Sequence, residues 1–376
     1  MSLSTEELDA WLRLAHRVGV GVGRASMRRL LAALGSPQAV AAAPLETLCQ
    51  LVGAKRAEEL QGEPPGHPAR VVATRTWLDE RPTRRLLTLA DADYPPLLLN
   101  TADPPLLLYL EGRIDLLQAD SVAIVGSRRP TPQGLENARR LARQLGEHGW
   151  TVVSGLAAGI DGAAHAGALE AAAGTIAVVG TGLDVVYPHA HRTLAARIAQ
   201  QGGLMVSEFP LGMAPMPDNF PQRNRIIAGL SRGTLVVEAA LRSGSLITAR
   251  QATEAGREVF AVPGSIHSDQ ARGCHALLRE GAKLVEAVED ILDELPGPLR
   301  AVPSGRLDGG SLAAADQAET DDEVLRALGH DPVSLDALIA RCGWPAARLN
   351  VRLMELELDG LVARLPGGLF QRQQAA

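Results

Sequence analysis

At 376 residues the chain is long for a single core, so two or three domains are expected, and 46% hydrophobic with 21% charged residues is the balance of a soluble globular protein. A formal charge of -6 excludes a uniformly basic coat for nucleic acid, so any polyanion site must be local. Cys49, Cys274 and Cys342 lie too far apart for a disulfide framework or a zinc spacing, and no apolar run reaches the ~18 residues of a membrane span; the expectation is a cytoplasmic protein without metal, cofactor or membrane partner.

Residues 1–62 read as short helices, with Leu8, Leu12 and Ala15, then Leu30, Leu31 and Leu34, at helical spacing. A glycine hairpin, Val18-Gly19-Val20-Gly21-Val22-Gly23-Arg24, joins two of them and is echoed at Leu51-Val52-Gly53-Ala54-Lys55. Such a helix-hairpin-helix (SAM-like) domain can aim backbone N–H groups at a phosphate or serve only as a packed helical unit. Breakers follow from Gln61 to Pro68, then a helical stretch over 69–79. Prolines at 95, 96, 104 and 105 forbid central strands over 86–112, which is predicted to drape an edge of the next domain.

From residue 121 apolar strands, predicted at 122–125, 151–153, 175–179, 204–207, 234–237, 258–262 and 283–285, alternate with helices that include 135–148, 191–200 and 245–256. Near-continuous Val and Ile runs between helices predict an α/β fold, an extended Rossmann-like doubly wound parallel sheet over 69–295. The stretch 296–320, biased to Pro, Gly, Ala and Ser, reads as a flexible linker. Residues 321–372, with three helices and a turn at Pro366-Gly367-Gly368, read as a winged helix. Its third helix carries Arg348 and Arg352 beside Glu355, Glu357 and Asp359, so protein contact or dimer support competes there with duplex reading.

Ligands of an open parallel sheet bind outside the carboxyl ends of its strands, and five anion-suited segments fall there. Gly126, Ser127 and Arg128 follow the first strand: glycine for close backbone approach, a hydroxyl, and a planar charged fork. Ser154, Gly155 and Gly159 bound a run of small residues that could leave N–H groups free as a phosphate nest. Asp161 and His165 lie four apart on one helix face, either as an acid–base pair or, more simply, as a helix cap and a histidine held by packing or by Asp161. Gly180 and Gly182 precede Tyr187, which either stacks on a base or packs in the core. Arg223, Asn224 and Arg225 sit in a loop that turns into a helix; one arginine reaches the ligand while the other clamps a neighbouring loop or Glu208, and the sequence leaves open which. Ser243, Gly244 and Ser245 open another helix, with Ser245 capping it or facing phosphate. No Gly-Lys-Ser or Gly-Lys-Thr occurs, so a Walker-type ATPase is not expected.

Three runs carry a family likeness: Val122-Ala123-Ile124-Val125-Gly126-Ser127-Arg128, Phe220-Pro221-Gln222-Arg223-Asn224-Arg225-Ile226-Ile227-Ala228-Gly229-Leu230-Ser231, and Ser243-Gly244-Ser245-Leu246-Ile247-Thr248-Ala249. With Ser154-Gly155-Leu156-Ala157-Ala158-Gly159-Ile160-Asp161, the chain resembles the DprA/Smf family of bacterial single-strand DNA binders. That resemblance implies a homodimer that binds single-stranded DNA in a basic pocket, with Arg128 foremost, and loads RecA recombinase in natural transformation. The chain departs from the family pattern at Ala158, where arginine is common, and at His191, where asparagine is. Two alternatives stand beside it. Gly233-Thr234-Leu235-Val236-Val237-Glu238 is similar to the nucleotide-cleaving signature of lysine-decarboxylase-like proteins, but its glutamate falls one position late and the paired glycines are missing. A sensor that binds a small nucleotide without turnover would use the same pocket.

Overall fold

The computed structural model describes residues 4–18, 21–295, 322–328, 333–365 and 368–373. The linker expected over 296–320 lies outside them. The chain divides into a large N-terminal unit and a small C-terminal one.

The large unit opens with α1 (Thr5–Arg17), α2 (Arg24–Leu34), α3 (Pro37–Ala42), α4 (Leu45–Val52), α5 (Ala54–Leu60) and α6 (His67–Glu80). Ser4 and Glu7 start α1 as a reciprocal capping box, each side chain accepting from the other's backbone N–H. Of the stripe foreseen, Leu8, Leu12 and Leu30 are buried and Ala15, Leu31 and Leu34 half-buried, and Trp11 and Met27 join them. These side chains share one apolar cluster with Trp77, Tyr109, Val179 and Met205, so the helical layer is fused to the sheet. The change of architecture after residue 62 is therefore not a break in packing.

Then come β1 (Arg84–Thr88), α7 (Pro96–Leu99), β2 (Leu107–Gly112), β3 (Ser121–Val125), α8 (Pro132–Glu147), β4 (Thr151–Ser154), α9 (Ile160–Ala168) and β5 (Thr175–Val179). They are followed by α10 (Arg192–Gln200), β6 (Leu204–Ser207), α11 (Asn219–Leu230), β7 (Gly233–Val236), α12 (Ser245–Glu254), β8 (Glu258–Ala261), α13 (Arg272–Arg279), β9 (Lys283–Leu284) and α14 (Glu289–Leu292). The strands order as β1-β2-β6-β5-β4-β3-β7-β8-β9. From β6 to β9 every pairing is parallel, whereas β2 joins β6 antiparallel. Alternation along β3 buries both faces: Val122 and Ile124 pack with Leu141 and Leu145 of α8 and Ile160 of α9. Ala123 and Val125 pack with Ile226 and Leu230 of α11 and Leu246 and Ala249 of α12. The chain runs from β3 outward to one side and returns through β7 to the other, so the doubly wound sheet reverses between β3 and β7.

Two expectations change. Residues 84–112 do form an edge, but as the strands β1 and β2; all four prolines fall between them, where no ladder N–H is needed. The segment around Arg223 is not a loop: Asn219 through Leu230 is helix, with Pro221 in the first turn, where a missing N–H costs nothing.

The small unit contains α15 (Glu323–Leu328), β10 (Val333–Ser334), α16 (Leu335–Cys342), α17 (Ala346–Leu358), β11 (Val362–Leu365) and β12 (Leu369–Arg372), with strand order β10-β12-β11. Val324, Leu328, Leu338, Leu353 and Phe370 form its core. This is a winged helix, completed by a short strand, β10, that the sequence pattern did not suggest; Pro366 and Gly367 of the expected turn lie outside the described residues. Among the described residues no helix is long and apolar enough to cross a membrane.

Candidate nucleic-acid interface

A cavity of about 750 Å³ opens at the carboxyl ends of β3 and β7, where the winding of the sheet reverses. Gly126, Ser127 and Arg128 line it from the turn after β3, Tyr187 from the loop after β5, Arg223 and Asn224 from α11, and Ser243, Gly244 and Ser245 from the start of α12. The other predicted residues, Ser154, Gly155, Gly159, Gly180, Gly182 and Arg225, do not reach its wall.

The wall is cationic and aromatic. Arg128, Arg129 and Arg242 are exposed, and among the described residues none of the three forms an ion pair. The Arg128 guanidinium lies over the Phe220 ring at 5.4 Å, and the Phe220 and Tyr187 ring centroids are 5.6 Å apart, tilted by 45°. Tyr187 is 40% exposed, which favours an open platform over a core role. The N-terminus of the ten-residue α12 adds the positive end of its dipole at Gly244 and Ser245. Ser243 Oγ accepts from Ser245 N and lies 2.7 Å from Ser245 Oγ, so the serines stiffen this turn as well as line the cavity. Ser127 Oγ likewise accepts from Arg129 N at 3.0 Å, which sets the turn that presents both arginines.

Beneath the cavity lies a rigid floor. Arg223 is buried and donates to Gly155 O at 2.5 Å and to Val178 O. Burial pulls its guanidinium down to about 10, against the pull of Asp161. Asp161 accepts from Gly155 N at 3.1 Å and from Ala157 N at 3.3 Å; burial pushes its carboxyl up, with Arg223 opposing. Of the N–H groups expected to form an open phosphate nest, those of Gly155 and Ala157 are thus taken by Asp161 and that of Leu156 by His165, which corrects the reading at these three. Ser154 Oγ is spent on Ile124 O, and Gly159, at φ 82°, packs against the backbone of Ser127 where no side chain fits.

His165 is not held by Asp161. Its Nε2 accepts from Leu156 N, so Nδ1 carries the proton and donates to Thr175 Oγ1 at 2.8 Å, while Thr175 passes its own proton to Val152 O. Burial first, then His191 and Arg223, lowers its pKa to about 3. His191 Nδ1 bonds Leu156 O at 3.0 Å, so the departure from asparagine still leaves a donor at this place. The α9 cap is Gly159 rather than Asp161.

Gly180 and Gly182 serve contacts as well: Gly180 O accepts from Asn219, and a Cβ on Gly182 would press on Asp184 and Pro210. Arg225, two positions from Arg223 on α11, points away from the cavity. It bonds Glu208 at 2.5 Å and the backbone Asp103 O, beside Arg24 of α2, which binds the carboxylates of Asp103 and Glu208, and Arg28, which binds that of Asp103. The clamp on Glu208 is therefore Arg225, and α2 uses its first arginines to dock on the sheet. Three wall residues, Arg129, Arg242 and Phe220, were not singled out from sequence. The signals were present: arginines directly beside the Gly-Ser-Arg and Ser-Gly-Ser turns, and a phenylalanine in a chain with four.

The residues gathered at this switch point are cationic and aromatic, on a Rossmann-like scaffold. Residues 85–296 match the family model described as DNA recombination-mediator protein A, and 311–368 match that of the DprA winged helix domain. The chain is 44% identical to the protein Smf of Escherichia coli over 302 residues, 80% of each chain. It is 49% identical over 207 residues to the DNA processing protein DprA of Streptococcus pneumoniae, covering 55% of this chain and 73% of that one. The solved structure of the pneumococcal protein superposes with TM-score 0.63 at 36% identity, covering 78% of this chain and 99% of that one. That of DNA processing protein A from Helicobacter pylori, described for its single-stranded DNA binding mode, superposes with TM-score 0.51 at 33% identity, covering 56% and 95%. The chain belongs to the DprA/Smf family of DNA-processing proteins.

Proposed function

We propose that the chain binds single-stranded DNA in the cavity at the switch point, with phosphates on Arg128, Arg129 and Arg242 and a base on Tyr187 and Phe220. The carrying observation is the set of three exposed guanidinium groups, without ion pairs among the described residues, around one aromatic pair. Phosphate contacts give affinity without sequence preference, and stacking accepts any base, so binding is strong, salt-dependent and sequence-tolerant. The Helicobacter pylori relative supports the same ligand class. By family likeness, two copies act together and hand the coated strand to RecA recombinase in natural transformation. Joining two such sites raises avidity on a chain whose overall charge is negative.

We read the site as one that binds rather than cleaves. Its lining holds one carboxylate, Asp161, which is already committed to Gly155 and Ala157. Glu238, the glutamate of the competing signature, is absent from the cavity lining. Gel shifts with single-strand and duplex oligonucleotides, run beside a nucleotide-hydrolysis assay, test this reading: preference for the single strand with no turnover supports it, and hydrolysis or equal duplex affinity overturns it.

A further inference from the structure

Helix α17 of the winged helix has two apolar faces. One, with Leu349, Leu353 and Leu356, is buried in its own unit. The other is in solvent: Val351 is 61% exposed, Met354 66% and Leu358 85%, with exposed Ala347 one turn earlier. These four residues are spaced four, three and four apart, the interval of a coiled-coil seam, and exposed apolar residues in register on one helix mark an interaction surface. The first turn of the helix carries Arg348 and its last turns Glu355 and Glu357.

We propose that this seam is a contact between two copies of the chain, with the two α17 helices antiparallel. A two-fold axis between residues 352 and 353 sets Val351 against the partner's Met354 and Ala347 against the partner's Leu358, small opposite large in the end layers. The same axis brings Arg348 beside the partner's Glu355, twice by symmetry. A parallel pair would instead face Glu355 with the partner's Asn350 and leave Arg348 without an acidic partner. The Arg348 guanidinium is already fixed on the edge of the seam by stacking at 3.7 Å over Trp344, so little freedom is lost when it pairs. A seam on a helix of thirteen residues is short, so the contact is weak alone and gains when two copies are held near each other. This inference deepens the two-copy reading above by naming a surface for it.

The test is oxidative cross-linking of the full chain at high micromolar concentration. Val351→Cys and Met354→Cys chains are oxidised singly and as an equimolar mixture, beside the parent, which controls for the native cysteines. The antiparallel seam predicts several-fold more covalent dimer in the mixture than in either variant alone. Adding Leu358→Glu to both should abolish that excess, and circular dichroism should match the parent. Cross-links strongest in Val351→Cys alone would mean a parallel pair and overturn the arrangement. Mixture yields no higher than the parent's overturn the seam altogether. Sedimentation of the parent separates the two ideas: a dimer without the cross-link retains the two-copy reading and rejects this surface, whereas a monomer without it rejects both.

Discussion

Arg223 and Asp161 grip the two ends of one residue, Gly155: the guanidinium binds its carbonyl at 2.5 Å and the carboxylate its N–H at 3.1 Å. Each is buried, and each alone would be an uncompensated charge in the sheet. Together they fix the β4 turn under the cavity. Arg223→Ala should cost about 3–5 kcal/mol, the range for breaking a buried charged pair, read as a drop in the denaturation midpoint. A variant with parent-like stability and weakened DNA binding would instead make Arg223 a direct ligand.

Gly155→Ala tests the same clamp from the other side. An added Cβ would stand 2.6 Å from both terminal nitrogens of Arg223, which has nowhere to retreat while it holds two carbonyls. The substitution should destabilise by about 1–3 kcal/mol, as overpacking does. Calorimetry showing no change in melting temperature would mean the guanidinium is looser than its bonds imply.

The cluster of Arg24, Arg28 and Arg225 around Asp103 and Glu208 ties α2 to the sheet. Burial opposes the charge on Asp103, yet Arg28, Arg225 and Arg24 hold its carboxyl below the usual range. Arg225→Ala leaves Glu208 short of a partner and should cost about 1–3 kcal/mol of stability with oligonucleotide affinity retained. A loss of affinity at unchanged stability would return Arg225 to the binding surface.

The sheet was legible in the sequence because Val and Ile runs such as 122–125 and 175–179 have few other places to go, and the observed strands agree within a residue or so. The roles of the two arginines of Arg223-Asn224-Arg225 were not. Both carry the same charge in the same motif, and only the 200° turn between them on a helix sends one to the sheet and the other to Glu208. The phosphate nest was misread in part for a related reason: small residues reveal that backbone is accessible, but not that Asp161 and His165 fold back to occupy three of its N–H groups. Arg242 and Arg129 escaped notice because isolated exposed arginines acquire meaning only when the fold brings their loops to one rim.

Two histidines make stability depend on acid. His165 is lowered to about 3 and His16 to about 4, chiefly by burial in each case. Their folded pKa values lie below the unfolded 6.5, so their contribution is complete above pH 6.5 and is lost as pH falls through the folded values. Each proton taken up on unfolding adds a slope of about 1.4 kcal/mol per pH unit in this window. Asp161, raised by burial, acts in the opposite sense and flattens the slope toward its acid end. Denaturation between pH 6.5 and 5 should therefore show falling stability, and His165→Gln should reduce the slope by about one proton. A slope unchanged by that substitution would mean His165 protonates freely in the folded chain.

Tyr187 offers its ring to the cavity with 40% of its surface exposed, so its removal should leave the fold intact. Tyr187→Ala should weaken oligonucleotide binding by about 1–3 kcal/mol, the worth of one stacked base, with the salt dependence unchanged. Equal affinity in the variant would remove the base from this platform.

The most direct measurement is fluorescence anisotropy of a labelled single-stranded oligonucleotide across a salt series, for the parent, Arg128→Ala and the double variant Arg128→Ala with Arg242→Ala. Each arginine removed should cost about 1–3 kcal/mol and lower the slope of log affinity against log salt by about 0.7, while the melting temperature stays that of the parent. Parent-like affinity and slope in the double variant would contradict the cationic cavity as the place where the strand binds.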